Sequence, residues 1–231
     1  MMRRIGILGG MGPEATVLLM QKIIAAVPAR DDADHVPLIV DQNSQVPSRI
    51  AHLIEGTGPD PAPVLVAMAQ RLQAAGAEAL AMPCNTAHHY ADDIRRAVGI
   101  PFLDMVQASA QAARAALGAG GKVGLLASPA VAQVGLFDRV LGDIGLTVIH
   151  PADGAAMLGA IRAIKSQGPH DAARATLRAA SGALLAQGAA VQLIACTEFS
   201  LIPDAVAPAV RAIDTLDVLV GEIVRFAGRS G

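Results

Sequence analysis

The sequence predicts an α/β fold: two similar three-layer α/β domains with mostly parallel sheets. Three observations carry this expectation. Apolar runs of strand length alternate with helix-like stretches along the whole chain, which is the pattern of βαβ units. The second half restarts the pattern of the first. Lys122-Val123-Gly124-Leu125-Leu126-Ala127-Ser128 repeats Arg4-Ile5-Gly6-Ile7-Leu8-Gly9-Gly10, and residues 187–197 repeat 75–85. A length of 231 residues accommodates one large or two small domains, at about 100–200 residues each.

The elements follow in order. Residues 4–8 form a buried strand and Gly9-Gly10-Met11-Gly12 a loop. Pro13 suits a first helical position, where its missing N–H is no loss, and a helix runs to about Val27. Residues 37–41 read as a strand, 42–49 as a polar loop and 56–63 as a Pro/Gly-rich stretch. A helix over 64–75 is closed by Gly76. The strand at 79–82 ends in Pro83-Cys84-Asn85-Thr86, and a helix over 87–98 and a short strand at 101–104 follow. An Ala-rich helix over 105–117 and a Gly-rich turn at 118–121 lead into the second half.

Composition narrows the function. With 53% hydrophobic but 2% aromatic residues, no Trp and one Tyr, the core must be built from Ala, Val, Leu, Ile and Met. Such a chain is not disordered. Eighteen basic against twenty acidic residues give a net charge of −2, so neither a phosphate backbone nor stacked bases find a footprint, and no nucleic-acid partner is expected. The N-terminus lacks the apolar stretch of a signal peptide, and apolar runs stop short of the roughly 20 residues of a membrane helix. No membrane partner is expected, and the expected location is cytoplasmic. Two cysteines are too few for a disulfide scaffold or an all-cysteine metal site. If they matter, they matter as thiols.

Cys84 and Cys196 each follow an apolar strand and precede a helical segment, the edge at which open α/β sheets bind ligands. Asn85 or Thr86, and Thr197, are placed to cap the following turns. A helix N-terminus favours the thiolate, and two thiols in equivalent places suit one reaction. A thiolate removes a proton from one face of a carbon while a thiol returns one to the other. Other candidates are weaker. Gly9-Gly10-Met11-Gly12 lacks both the Gly-x-Gly-x-x-Gly spacing and the phosphate-loop Lys-Ser/Thr pair, and reads instead as a wall of a small pocket. His88 and His89 face different ways, lack zinc-site spacing and read as structural or surface residues; no metal is expected. Pyridoxal phosphate needs a Schiff-base lysine. Lys22 and Lys122 sit on an ordinary helix and at a strand start, which leaves Lys165, and no cofactor is expected.

Ile5-Gly6-Ile7-Leu8-Gly9-Gly10-Met11-Gly12-Pro13-Glu14-Ala15-Thr16, Met82-Pro83-Cys84-Asn85-Thr86-Ala87-His88 and Ala195-Cys196-Thr197-Glu198-Phe199-Ser200-Leu201 together resemble the aspartate/glutamate racemase superfamily, and most closely its cofactor-independent aspartate racemase branch. The resemblance implies two similar domains, 1–103 plus 213–231 and 104–212, with the active site in the cleft between them and assembly as a homodimer. It also implies racemisation of L- and D-aspartate, or a related acidic amino acid, without pyridoxal phosphate. Cys84 and Cys196 fall on the two acid–base positions; which thiol serves which enantiomer stays open. Asn85, Thr86 and Thr197 align with residues that hold the α-carboxylate, and Met11 and Gly12 belong to the loop already read as a pocket wall and are expected to touch the substrate. Arg49 and Lys165 are implied to grip the side-chain carboxylate, the first as a planar fork and the second as a point charge. Glu198 is placed to orient the Cys196 thiol, to bind the substrate amine or to cap the short helix. Two departures leave the substrate open: Ser48 stands where an acidic residue is common, and Leu126-Ala127-Ser128-Pro129-Ala130 lacks a Thr-x-Gly-Thr-like pattern. Related members racemise hydantoins, or isomerise or decarboxylate diacids. A non-catalytic sensor on the same frame is the competing class.

Overall fold

The computed structural model describes residues 2–118 and 120–228. The Gly-rich turn at 118–121 and the C-terminal segment 213–231 therefore include positions, Ala119 and 229–231, that lie outside the described residues. The chain divides into two compact units, Met1–Met105 with Leu216–Gly231, and Val106–Thr215. Each holds one four-stranded sheet in which every pairing is parallel.

The first unit contains β1 (Ile5–Gly9), α1 (Pro13–Ala26), β2 (Leu38–Gln42), α2 (Ala62–Ala74), β3 (Ala79–Ala81), α3 (Ala91–Ala97) and β4 (Phe102–Leu103). The chain then runs through α4 (Met105–Leu117), β5 (Lys122–Ala127), α5 (Pro129–Gln133), α6 (Leu136–Gly142), β6 (Thr147–Ile149), α7 (Gly154–Gln167), α8 (Asp171–Ala186), β7 (Val191–Ala195) and β8 (Arg211–Asp214). Helix α9 (Thr215–Gly228) returns to the first unit.

Strand periodicity sorts the core into layers. Ile5 and Ile7 point to one face of their sheet, where they pack with Leu19 and Ile23 of α1 and Leu219 and Ile223 of α9. Leu8 and Leu80 point to the other, against Leu65, Met68 and Leu72 of α2 and Ile94 of α3. The second unit repeats the scheme. Val123, Leu125 and Leu193 pack with Val106 and Ala110 of α4 and with α5 and α6, while Leu126 and Ile194 pack with α7 and α8. Each such fully buried Leu or Ile contributes about 1.5–3 kcal/mol relative to exposure, so aliphatic residues suffice where aromatics are scarce.

The strand orders, β2-β1-β3-β4 and β6-β5-β7-β8, are the same topology twice. This is the internal repeat that the sequence predicts. Local departures have local causes. The third strand stops at Ala81, because Pro83 has no N–H to extend the ladder. The helix expected over 87–98 is instead a 3₁₀ turn, Thr86–Tyr90, followed by α3. A π-helical turn, Ala51–Glu55, fills part of what had no expected element.

Candidate active site

In both sheets the strand order reverses at one place: β2 lies to one side of β1 and β3 to the other, and β6 and β7 flank β5 likewise. Loops leaving such a pair diverge and open a crevice at the carboxyl ends. Cys84 lies three residues beyond β3, and Cys196 directly follows β7. Both are free thiols, 6% and 8% exposed.

Around Cys84 the chain is tightly tied. The Cys84 N–H donates to the Met82 carbonyl at 2.9 Å. His88, buried one turn further on, has Nδ1 2.9 Å from the Cys84 carbonyl, while its Nε2 accepts the Met105 N–H at 3.1 Å. Accepting at Nε2 assigns the proton to Nδ1. Burial lowers the His88 pKa, against the opposing pull of Asp104, whose carboxylate lies 4.0 Å away, so the ring is a neutral bridge. It joins the thiol turn to the residue at which the first segment of the first unit ends. The second unit uses the same device. Ser200, also four residues past its cysteine, donates through Oγ to Asp214 Oδ1 at 2.7 Å, at the end of β8.

The other loops at this edge of the first sheet bring Met11, Gly12 and Arg49. Gly10 has φ +90°, and a Cβ there would sit 2.4 Å from the Asn43 carbonyl carbon and oxygen, so the loop after β1 lies against the loop after β2. Met11 is buried in the same apolar cluster as Val46, Cys84 and Tyr90. Gly12 is the N-cap of α1. The Arg49 Nη1 donates to the Val46 and Pro47 carbonyls at 3.3 and 2.9 Å, which fixes the side chain at its own loop. Asn85 is buried and Thr86 half-buried beside the thiol.

In the second unit Cys196, Glu198 and Lys165 form a chain. The thiol donates to Glu198 Oε2 at 3.0 Å, and Lys165 Nζ lies 3.2 Å from Glu198 Oε1. Burial pushes the Cys196 pKa well above its ordinary value, the Glu198 charge adds to this, and Lys165 opposes it. Cys196 therefore rests as a thiol. Thr197 is buried next to it.

The expected caps are corrected. Asn85 occupies the N-cap of the 3₁₀ turn without a side-chain capping bond, and Glu198, not Thr197, occupies that of Phe199–Leu201, also without one. Of the three uses open to Glu198, the geometry gives the contact with the thiol; its carboxylate is turned to Cys196 and Lys165 and not to the backbone. Lys22 pairs with Asp217 at 2.5 Å and Lys122 donates to the Gln187 carbonyl at 3.0 Å. Among the described residues no group of three His, Cys, Asp or Glu is arranged to hold a metal ion, and no helix is long and apolar enough to cross a membrane. Sequence reasoning missed Tyr90 and the matched bridges from His88 and Ser200. The shared spacing of four residues after each cysteine was the available signal.

The sites so placed are six in the first unit, Met11, Gly12, Arg49, Cys84, Asn85 and Thr86, and four in the second, Lys165, Cys196, Thr197 and Glu198. Comparison with known proteins gives this arrangement a family. The model of the Asp/Glu/hydantoin racemase family matches residues 8–223. The broad specificity amino-acid racemase RacX of Bacillus subtilis is 26% identical over 215 residues, covering 91% of this chain and 92% of that protein. The structure of Picrophilus torridus aspartate racemase superposes with a TM-score of 0.86 at 26% identity, covering 99% of this chain and 95% of the other. Glutamate racemase from Francisella tularensis, solved with D-glutamate, shares the fold at a TM-score of 0.66 and 16% identity, over 96% of this chain and 80% of its own. With a matching family model over nearly its full length and a free thiol at the switch point of each of two like sheets, the chain belongs to the Asp/Glu/hydantoin racemase family.

Proposed function

We propose that the protein is a pyridoxal-phosphate-independent amino-acid racemase that interconverts L- and D-aspartate, or a closely related acidic amino acid, by two-base proton transfer between Cys84 and Cys196, acting as a cytoplasmic homodimer. The single observation that carries the reading is the equivalence of the thiols, each at the carboxyl edge of the same pair of strands in its own sheet. The likeness to an aspartate racemase and to a broad-specificity amino-acid racemase supports the substrate class.

One cysteine, as thiolate, takes the Cα proton and becomes a thiol. The other, as thiol, delivers its proton to the opposite face and is left as thiolate, so configuration inverts and one thiol and one thiolate remain. Cys196 starts as the donor, because Glu198 accepts its S–H and burial disfavours its charge. The carbanion requires electrostatic stabilisation. Asn85, Thr86 and Thr197 supply it by holding the α-carboxylate, and Met11 and Gly12 exclude water from the same side. Arg49 meets the side-chain carboxylate with the guanidinium edge not turned to the Val46 and Pro47 carbonyls, and Lys165 adds a point charge. The test is chiral chromatography of L-aspartate and L-glutamate incubated with wild type, Cys84→Ala and Cys196→Ala. Formation of the D-isomer by wild type alone supports the reading; its formation by either variant, or by no protein, contradicts it.

A further inference from the structure

The Tyr90 hydroxyl is buried and has no hydrogen-bond partner among the described residues. The residue is 4% exposed, sits at the end of the 3₁₀ turn that begins beside Cys84, and shares its apolar cluster with Met11, Val46 and Cys84. Its ring packs edge-on against His89, with centroids 4.9 Å apart, and lies tilted toward His52 in the turn that follows Arg49, with centroids 6.4 Å apart. A buried, unpaired hydroxyl is costly, and folded proteins retain one where something else answers it. We propose that Tyr90 is a specificity-determining residue whose hydroxyl donates to the carboxylate at the end of the substrate's side chain, beside Arg49, and so sets a preference for acidic over alkyl amino acids.

The placement favours the side-chain end of the substrate. Asn85 and Thr86 directly adjoin the thiol and are assigned to the α-carboxylate, whereas Tyr90 packs toward the segment carrying Arg49. The phenol also has the right protonation. Burial, with Asp60 second, pushes its pKa up to about 12, and Arg49 and Cys84 both lie within electrostatic reach of it. It is therefore a neutral donor throughout the working range. A carboxylate receiving one bond from a guanidinium and one from a phenol is fixed in orientation as well as charge. An alkyl side chain in the same place leaves the hydroxyl unanswered, and such a site discriminates against substrates that lack the partner.

The proposal rests on the racemase reading for the identity of the ligand, so its test is binding, with turnover scored separately. Calorimetric titration of L-aspartate and of L-2-aminobutyrate, which lacks the side-chain carboxylate, is carried out on wild type and Tyr90→Phe, with melting temperatures of the ligand-free proteins. Loss of one hydrogen bond to a charged group predicts Kd for L-aspartate raised on the order of tenfold. Affinity for L-2-aminobutyrate stays unchanged, and the ligand-free melting temperature does not fall, because only an unpaired hydroxyl has been removed. Equal weakening of both ligands, or unchanged aspartate affinity, overturns the proposal; a lower melting temperature with unchanged selectivity assigns the hydroxyl to structure. A wild type that binds aspartate without racemising it refutes the proposed reaction while the affinity comparison still decides Tyr90. A wild type that binds neither ligand refutes both.

Discussion

Replacing His88 with alanine should loosen the Cys84 turn by a calculable amount. The ring is 3% exposed, donates to the Cys84 carbonyl at 2.9 Å and accepts from the Met105 N–H at 3.1 Å. Its loss leaves two buried backbone groups unpaired at about 1–3 kcal/mol each, so the expected destabilisation is about 2–6 kcal/mol. With a urea slope of about 3 kcal/mol/M, suited to a chain of this size, the unfolding midpoint followed by circular dichroism falls by about 0.7–2 M. His88→Gln, whose amide offers both a donor and an acceptor, should fall between. A pH limb separates the bridge from mere bulk. The native pKa of His88 lies below its unfolded value of about 6.5. Above that pH the ring is neutral in both states and contributes no pH dependence. As the pH falls through it, the unfolded chain takes up a proton that the native state refuses, and stability is lost until the native pKa is reached. Wild type should therefore lose stability below about pH 6.5 more steeply than His88→Gln. An unchanged midpoint in His88→Ala, or identical pH limbs, would refute the bridge.

In a Cys84→Ala background, where Cys196 is the one remaining thiol, Glu198→Gln should shift the pH midpoint of iodoacetamide alkylation downward, and Lys165→Met should shift it upward, following the opposite effects of the two charges on the thiol. A shift of either variant in the other direction would break the assigned chain. Gly10→Ala combines a left-handed φ with a Cβ 2.4 Å from the Asn43 backbone; the strain alone costs about 1–3 kcal/mol, and the melting temperature should drop. An unaffected variant would mean that the two loops are not held in contact.

Much of this was legible in the residues. The repeat of Ile5–Gly9 in Lys122–Ala127 indicated two like sheets because a buried apolar strand with a glycine inside it, Gly6 in one and Gly124 in the other, leaves a compact pattern. The thiols were legible because position at a strand end is a one-dimensional property. What escaped depended on contacts across the fold. The Glu198 carboxylate is a good helix cap by local rules, yet a thiol two residues back and Lys165 on α7 compete for it successfully. The bridge from His88 to Met105 spans 17 residues, and a histidine's spacing from its own helix neighbours carries no sign of such a partner. Tyr90 reads as an ordinary aromatic on a helix until its hydroxyl is found buried and unpaired.

The most direct test of the central claim is proton NMR of L-aspartate with the reduced protein in deuterated buffer, followed in wild type, Cys84→Ala and Cys196→Ala. The two-thiol account predicts that in wild type the Cα proton signal disappears as D-aspartate appears carrying deuterium at Cα, and that neither variant forms D-aspartate. Racemisation that survives the loss of either thiol would contradict it.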